Sequence, residues 1–385
     1  MSLPTAFAFD PADPRVQADL HGAYRRLRDD FPVYRHPDGK LFALSRYEDV
    51  EWAFGEPELF ASSGVEESKE LLPMMIYMEP AQQTPLRALV SRAFTPRRIA
   101  GLEAQIRRTT RELFDGWRGE NRGDLMRDVA LQLPNRIIAE LIGIPEERRG
   151  AFLHHTEALI SGPGSQGGIA RPAAGIYAEF ETLLAERSQA PRDDLMSALI
   201  AAECGGARLD TKQLLGFCFL LIVGGSDTTT NLIGNGAVLL AQHPEQRDWV
   251  AADLARLPGA IEEMLRFESP VQSQPRRPVR DVDLRGETIP RNVRLLLLIG
   301  AANRDERHWP DPDRFDASRA PTRHLAFGRG AHHCLGATLA RLESRIAFEE
   351  LLTRHPRFAL AAPPEWAPSR WARHHPAIPL DLHPN

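Results

Sequence analysis

The chain has 385 residues, 43% hydrophobic and 26% charged, a composition that suits a globular protein with a large core. Its formal net charge of −5 argues against a nucleic-acid surface, and Cys204, Cys218 and Cys334 are too sparse and odd in number for a disulfide framework, which suits a reducing cytosol. Met1 to Asp13 lacks the basic and apolar regions of a signal peptide, and the longest apolar run, Leu214 to Val223, is too short to span a bilayer.

Arg15 to Asp30 carries helical spacing and stops before Pro32. Val33–Arg35 and Leu41–Leu44 flank Pro37-Asp38-Gly39, a hairpin signal. Tyr47 to Phe54 reads as a short helix, and Phe60 to Tyr77 as a loop-rich stretch bearing Leu71, Leu72, Met74, Met75 and Ile76. Glu79 to Phe94 reads as a helix in which Pro80 and Pro85 are tolerated only in or before the first turn. Helical patterns follow over Arg97–Trp117, Asp124–Ile142 and Glu146–Leu159. Ser161 to Gly168 is a glycine-rich connector between two helices. No clear linker divides the chain, so one domain over 1–385 is expected.

Asp210 with Gln213 three residues on is a capping box. It opens a long helix to about Gln242, ended by Pro244. Leu214 to Val223 is apolar on every face, so this helix is expected to be buried. Its middle carries Gly224-Gly225-Ser226-Asp227-Thr228. Two interior glycines cost about 1 kcal/mol each relative to alanine. They permit close approach to the backbone, and the acid and hydroxyl that follow suggest a chemical site. The bland reading is a helix crossing with a back-bonded hydroxyl.

Ala260 to Phe267 is helical and places Glu263 and Arg266 on one face at i, i+3. Extended chain follows from Val271, then short strands from Leu284 to Gly300 and a proline-rich meander to Arg319. Phe327 to Gly336 is a glycine-jointed loop before a helix marked by Leu335, Leu339, Leu342 and Ile346. Cys334 would sit at that helix N-terminus, where backbone N–H groups favour a thiolate fit to ligate haem iron. The bland reading is a small buried hydrophobe. Zinc is disfavoured: His332, His333 and Cys334 are too close in sequence to aim at one tetrahedral ion, and no partner pair appears elsewhere.

Phe327, Gly328, Gly330, His332, Cys334 and Gly336 match Phe-Gly-x-Gly-x-His-x-Cys-x-Gly, which resembles the haem-binding signature of the cytochrome P450 family. Gly224, Gly225, Asp227 and Thr228 are similar to its oxygen-activation motif. Glu263 and Arg266 match its ExxR pair, with Arg319 completing it from a Phe-x-Pro-x-Arg stretch in which Ala317 replaces proline. Gln83 to Arg87 resembles its His-Thr-x-x-Arg, with Gln83 in place of histidine. The resemblance runs in family order and covers essentially the whole chain.

That resemblance implies a mainly α fold with a small β region, with haem between the long central helix and the helix after the cysteine loop. It makes Cys334 the axial ligand of haem b, with Arg87, Arg276 and His332 on its propionates, and Arg277 the near alternative to Arg276. Thr228 would serve bound O2 and Asp227 its proton supply. Met74, Met75, Leu220, Val223, Val271 and Ser273 are expected to line a pocket for an apolar small organic substrate. Trp371 is expected to be packed. The activity implied is a cytoplasmic, monomeric monooxygenase, fed by a separate ferredoxin or flavodoxin with its NAD(P)H-dependent reductase. Arg92, Arg97, Arg98, Arg329 and Arg345 are candidates for a docking face. No nucleic acid and no membrane is expected. The alternatives are a peroxide-driven peroxygenase of the same fold and a haem sensor or carrier.

Overall fold

The computed structural model describes residues 7–65, 72, 74–161, 170–204, 206–319 and 323–383. Leu71 and the glycine-rich connector over 162–168 lie outside the described residues. The helices that position the site are α1 (Tyr47–Gly55), α2 (Pro80–Ala93), α3 (Gln132–Ile142), α4 (Thr211–Gln242), α5 (Leu257–Phe267) and α6 (Ala337–Arg354). The fold is mainly α with a small β region, as the pattern predicts.

The capping box opens α4 as expected. Asp210 accepts from the Gln213 N–H at 2.8 Å, and the Gln213 side chain accepts from the Asp210 N–H at 2.9 Å. The helix then runs through both glycines without a break. Around it pack α3, α5 and α6, and their apolar faces merge into one cluster that includes Ile138, Phe219, Ile222, Met264 and Phe348. By length and composition α4 could cross a membrane, but most of that apolar stretch is buried inside the fold.

A five-stranded sheet flanks this bundle. Its strands are β1 (Val33–Arg35), β2 (Leu41–Leu44), β3 (Phe60–Ala61), β4 (Gln274–Pro278) and β5 (Arg294–Leu297), in the order β1-β2-β5-β4-β3. β2 and β5 run parallel and the remaining pairs antiparallel. Strand alternation turns Arg276 inward, opposite Leu295, and Arg277 outward, where it donates to Ser63 and Asn292.

Two local expectations need correction. Pro85 lies in the second turn of α2 and not in or before the first. The N–H it lacks would have met the Ala81 carbonyl, and both residues are exposed, so water can serve that oxygen. The single helix read over Arg15–Asp30 breaks at Asp19, whose side chain caps the second piece through the Gly22 N–H.

Glu263 and Arg266 form a buried bidentate pair at 2.7 and 2.8 Å. Arg319 reaches Glu263 at 3.1 Å, and Arg266 also donates to the Asn303 and Pro312 carbonyls. The triad ties α5 to the meander that leads into the cysteine loop. Removing one member of a buried pair strands the other charge, so Arg266→Ala should lose about 3–5 kcal/mol of unfolding free energy in urea. Glu343 on α6 is buried with Oε2 unpartnered among the described residues, and burial pushes its carboxyl up to about 8. A raised carboxyl binds more protons folded than unfolded, so its cost grows as pH rises from about 4.5 to 8. Glu343→Gln should therefore stabilise the protein more at pH 8 than at pH 5, read by urea melts at both values.

Candidate active site

The cysteine loop is shaped by glycine. Gly328 and Gly330 take φ of 65° and 66°, the left-handed region that suits a residue without Cβ. At Gly330 a Cβ would also lie 2.8 Å from the Phe54 carbonyl oxygen at the end of α1. The Cys334 N–H closes the loop on the Phe327 carbonyl at 2.9 Å. Gly336 is the N-cap of α6, and its φ of −81° needs no glycine.

The Cys334 sulfur sits two residues ahead of that cap. Backbone N–H groups of Gly336 and Ala337 donate to it, and Arg87 and Arg341 act on it from nearby. Those donors lower the thiol's pKa, as expected from the helix N-terminus. Burial outweighs them, however, and the net shift is upward. The donors thus prepare a place for negative charge at the sulfur, while burial of the free thiol opposes it.

Helix α2 staples this loop from the other side. Gln83 is buried and its Nε2 donates to the Ala331 carbonyl at 2.8 Å. One turn on, Arg87 donates to the His333 carbonyl at 2.6 Å. Their i, i+4 spacing matches two carbonyls two residues apart in the loop. This accounts for glutamine at position 83: the amide supplies a neutral donor to the loop.

Arg87, Arg276 and His332 gather beside Cys334. Arg276 is buried, with its guanidinium 5.4 Å from the Phe54 ring centre and one N–H on its own strand's Pro275 carbonyl. Burial brings it down to about 10, opposed by Glu79. Burial, Arg276 and Arg87 push His332 down to about 4, so its ring is neutral at pH 7, with Nε2 3.3 Å from Ser62 Oγ. Glu79, the acid acting on Arg276 and His332, already accepts from the Ser63 N–H at 3.0 Å. The cluster is short of negative charge.

Across the bundle, α4 presents an open strip. Val223 is 39% exposed within a mostly buried helix, and Gly224 is exposed beside it. A Cβ on Gly224 would meet nothing nearer than Leu220 at 3.9 Å, whereas one on Gly225 would lie 2.9 Å from Ile138 of α3. The paired glycines therefore divide: Gly224 opens the strip and Gly225 permits the helix crossing. Thr228 Oγ1 donates to the Gly224 carbonyl at 2.7 Å, and burial raises the Asp227 carboxyl, which accepts from Asn231 at 3.2 Å. A haem fits these residues: two propionates supply the missing negative charge, a ligand sulfur lies ready, and the open strip admits a flat face.

Met74, Met75 and Leu220 belong to the cluster packed along α4, while Val271 packs on the sheet side and Ser273 is buried with its hydroxyl unpartnered among the described residues. Trp371 packs on the N-terminal cluster with the Arg294 guanidinium 4.9 Å from its ring centre. The arginine face is largely compensated within the chain. Arg98 pairs with Asp193, Arg329 with Glu51, and Arg345 with Glu103 and Glu349, while Arg92 donates to the Glu203 carbonyl. Phe54, Ser62 and Glu79 escaped the sequence reading. Each comes from a distant segment and carries no local signal.

The family model described as Cytochrome P450 matches residues 173–365. Cytochrome P450 107B1 of Saccharopolyspora erythraea is 38% identical over 94% of this chain and 93% of its own length. Vitamin D(3) 25-hydroxylase of Pseudonocardia autotrophica is 39% identical over 89% of this chain and 87% of its own. A Chondromyces apiculatus cytochrome P450 of known structure superposes with a TM-score of 0.91 at 37% identity, covering 97% of this chain and 98% of that one. A Bacillus megaterium cytochrome P450 solved with testosterone gives 0.89 at 28% identity, over 95% and 100%. The chain belongs to the cytochrome P450 family. Within it, the enzyme is a monooxygenase of bacterial type.

The loop's backbone can be tested directly. Gly330→Ala should cost about 1–2 kcal/mol in left-handed strain alone, and more from the Phe54 contact. Gly259→Ala, at an uncrowded position in α5, should be neutral or stabilise by up to about 1 kcal/mol. Thermal and urea unfolding of both variants reads the contrast.

Proposed function

We propose that this protein is a haem-thiolate monooxygenase that inserts one oxygen atom of O2 into an apolar small organic substrate, most readily by hydroxylation. The observation that carries the reading is the Cys334 sulfur among backbone donors, beside a basic cluster with too little acid to balance it. Cys334 would hold the iron of haem b through its sulfur, and Arg87, Arg276 and His332 would hold the haem's carboxylates. When bound, the haem supplies oxygen activation and transfer of one oxygen atom to carbon.

The chain's own residues do the rest. Gln83 and Arg87 hold the loop carbonyls and so fix the sulfur's position. Thr228 keeps its hydroxyl at the open strip through the Gly224 carbonyl, leaving its oxygen free to accept. Asp227, whose carboxyl burial raises, stands one residue away, where it can relay a proton inward. Met74, Met75 and Leu220 exclude water from the substrate side.

Sterol-sized apolar molecules lead the substrate class, on the strength of the relative named a vitamin D(3) 25-hydroxylase and the neighbours solved with testosterone and corticosterone. Electrons come from a separate ferredoxin or flavodoxin with its NAD(P)H-dependent reductase. The working compartment is the cytoplasm and the working unit a monomer.

The reduced protein with carbon monoxide should give the red-shifted Soret band of thiolate ligation, and Cys334→Ser should lose it. A wild-type protein without that band would remove Cys334 from the iron. Asp227→Asn should slow reductant-driven product formation by roughly 10²-fold, the usual weight of a positioned proton donor. Turnover with peroxide alone, indifferent to O2 and reduced ferredoxin, would make the protein a peroxygenase instead.

A further inference from the structure

Thr230 is buried on α4, two residues past Thr228. Side chains two residues apart leave a helix about 200° from each other, so Thr230 points away from the open strip. Its Oγ1 donates to the Ala130 carbonyl at 2.9 Å. Ala130 ends a π-helical turn over Met126–Ala130 that runs directly into α3. Helix geometry would hand this carbonyl to the N–H four residues on, but that residue is Pro134, which has none. Thr230 therefore supplies the donor that proline removes, from 100 residues further along the chain.

The seam around that bond is otherwise smooth. Ser226, Thr230 and Gly234 stand at i, i+4 and i+8 and so share one face, with Gly225 at its edge. A Cβ on Gly225 would lie 2.9 Å from Ile138 of α3, and one on Gly234 would lie 2.5 Å from the Met126 sulfur in the π turn. Both glycines touch this neighbour closely without offering a side chain to lock into it. Helices fix their rotation by seating side-chain ridges in a neighbour's grooves, and between Gly225 and Gly234 there is little ridge to seat. Apolar contact is non-directional, whereas a hydrogen bond is directional. The Ser226 hydroxyl on this face has no partner among the described residues, so the directional contact falls to Thr230.

We infer that Thr230 is a positioning residue for Thr228. Its bond to Ala130 sets the rotation of α4 about its own axis, and so aims the Thr228 hydroxyl and the Gly224 carbonyl at the strip. This rests on the proposed monooxygenase reading, in which Thr228 serves the oxygen side. The proline that leaves the Ala130 carbonyl free thus creates the anchor point for the central helix.

The test uses the holoenzyme with three substitutions. Thr230→Val removes the hydroxyl and keeps the shape, and Thr230→Ser keeps the hydroxyl. Pro134→Ala returns an N–H to the Ala130 carbonyl, so in that background Thr230→Val strands no acceptor. Carbon monoxide on the reduced protein is the probe, and its C–O stretching band reports the polar surroundings at the strip. The band should shift or split in Thr230→Val, with or without Pro134→Ala, and Thr230→Ser should restore the wild-type band. Backbone hydrogen exchange in Thr230→Val should quicken over residues 224–231 by roughly tenfold relative to the rest of α4, the worth of one hydrogen bond. An unchanged band in Thr230→Val, or one returned to wild type by Pro134→Ala, overturns the positioning role and makes Thr230 a structural donor only. Exchange that quickens evenly along the chain does the same. A protein without the thiolate Soret band, or one that ignores O2 and reduced ferredoxin, fails the monooxygenase reading instead, and hydrogen exchange still decides whether Thr230 holds α4.

Discussion

The Cys334 sulfur is held by backbone, and the rest of the site depends on that. The N–H groups of Gly336 and Ala337 can reach it because two left-handed glycines fold the loop back before α6 starts. Such donors keep their positions without side-chain entropy, so the sulfur's place is fixed by the backbone itself. Burial opposes charge on the free thiol, so the loop does not by itself make Cys334 a reactive nucleophile.

Holding that loop requires support from three directions. From the surface side, Arg329 ties to Glu51 of α1. From α2, Gln83 and Arg87 bond two loop carbonyls two residues apart, so the helix that also lends a basic group to the cluster fixes the loop. From below, the buried Glu263–Arg266–Arg319 triad anchors the meander that delivers the chain to Phe327. Buried charges are expensive unless satisfied, and here each has hydrogen-bond partners from a different segment. The same groups therefore serve stability and geometry together.

The central helix divides its faces by residue size. Gly225 meets Ile138, while Gly234 and Gly236 sit against Met126 and Met264, so glycine sets how closely neighbouring elements approach. Gly224, one residue from Gly225 and about 100° around the helix, opens outward. The Asp227-Asn231-Asn235 face meets the C-terminal segment through Arg373. One helix thus carries an open strip, a packing seam and a polar seam.

Much of this was legible in the sequence because it is local. The capping box at Asp210, the 32-residue run of α4, the Glu263–Arg266 spacing and the six-residue cysteine signature are all set by neighbours within a few positions. Strand alternation separated Arg276 from Arg277 only once β4 had a partner, because neither sequence neighbour says which face is inward. The use of Gln83, the division of labour between Gly224 and Gly225 and the net upward shift at Cys334 were decided by tertiary structure alone. Each depends on burial or on contact between residues far apart in the chain: Gln83 with Ala331, Gly225 with Ile138. Sequence by itself determined which chemistry-bearing residues exist and the local backbone that carries them. Their electrostatic environment came only from the fold, because desolvation and charge coupling depend on distances that no local pattern encodes.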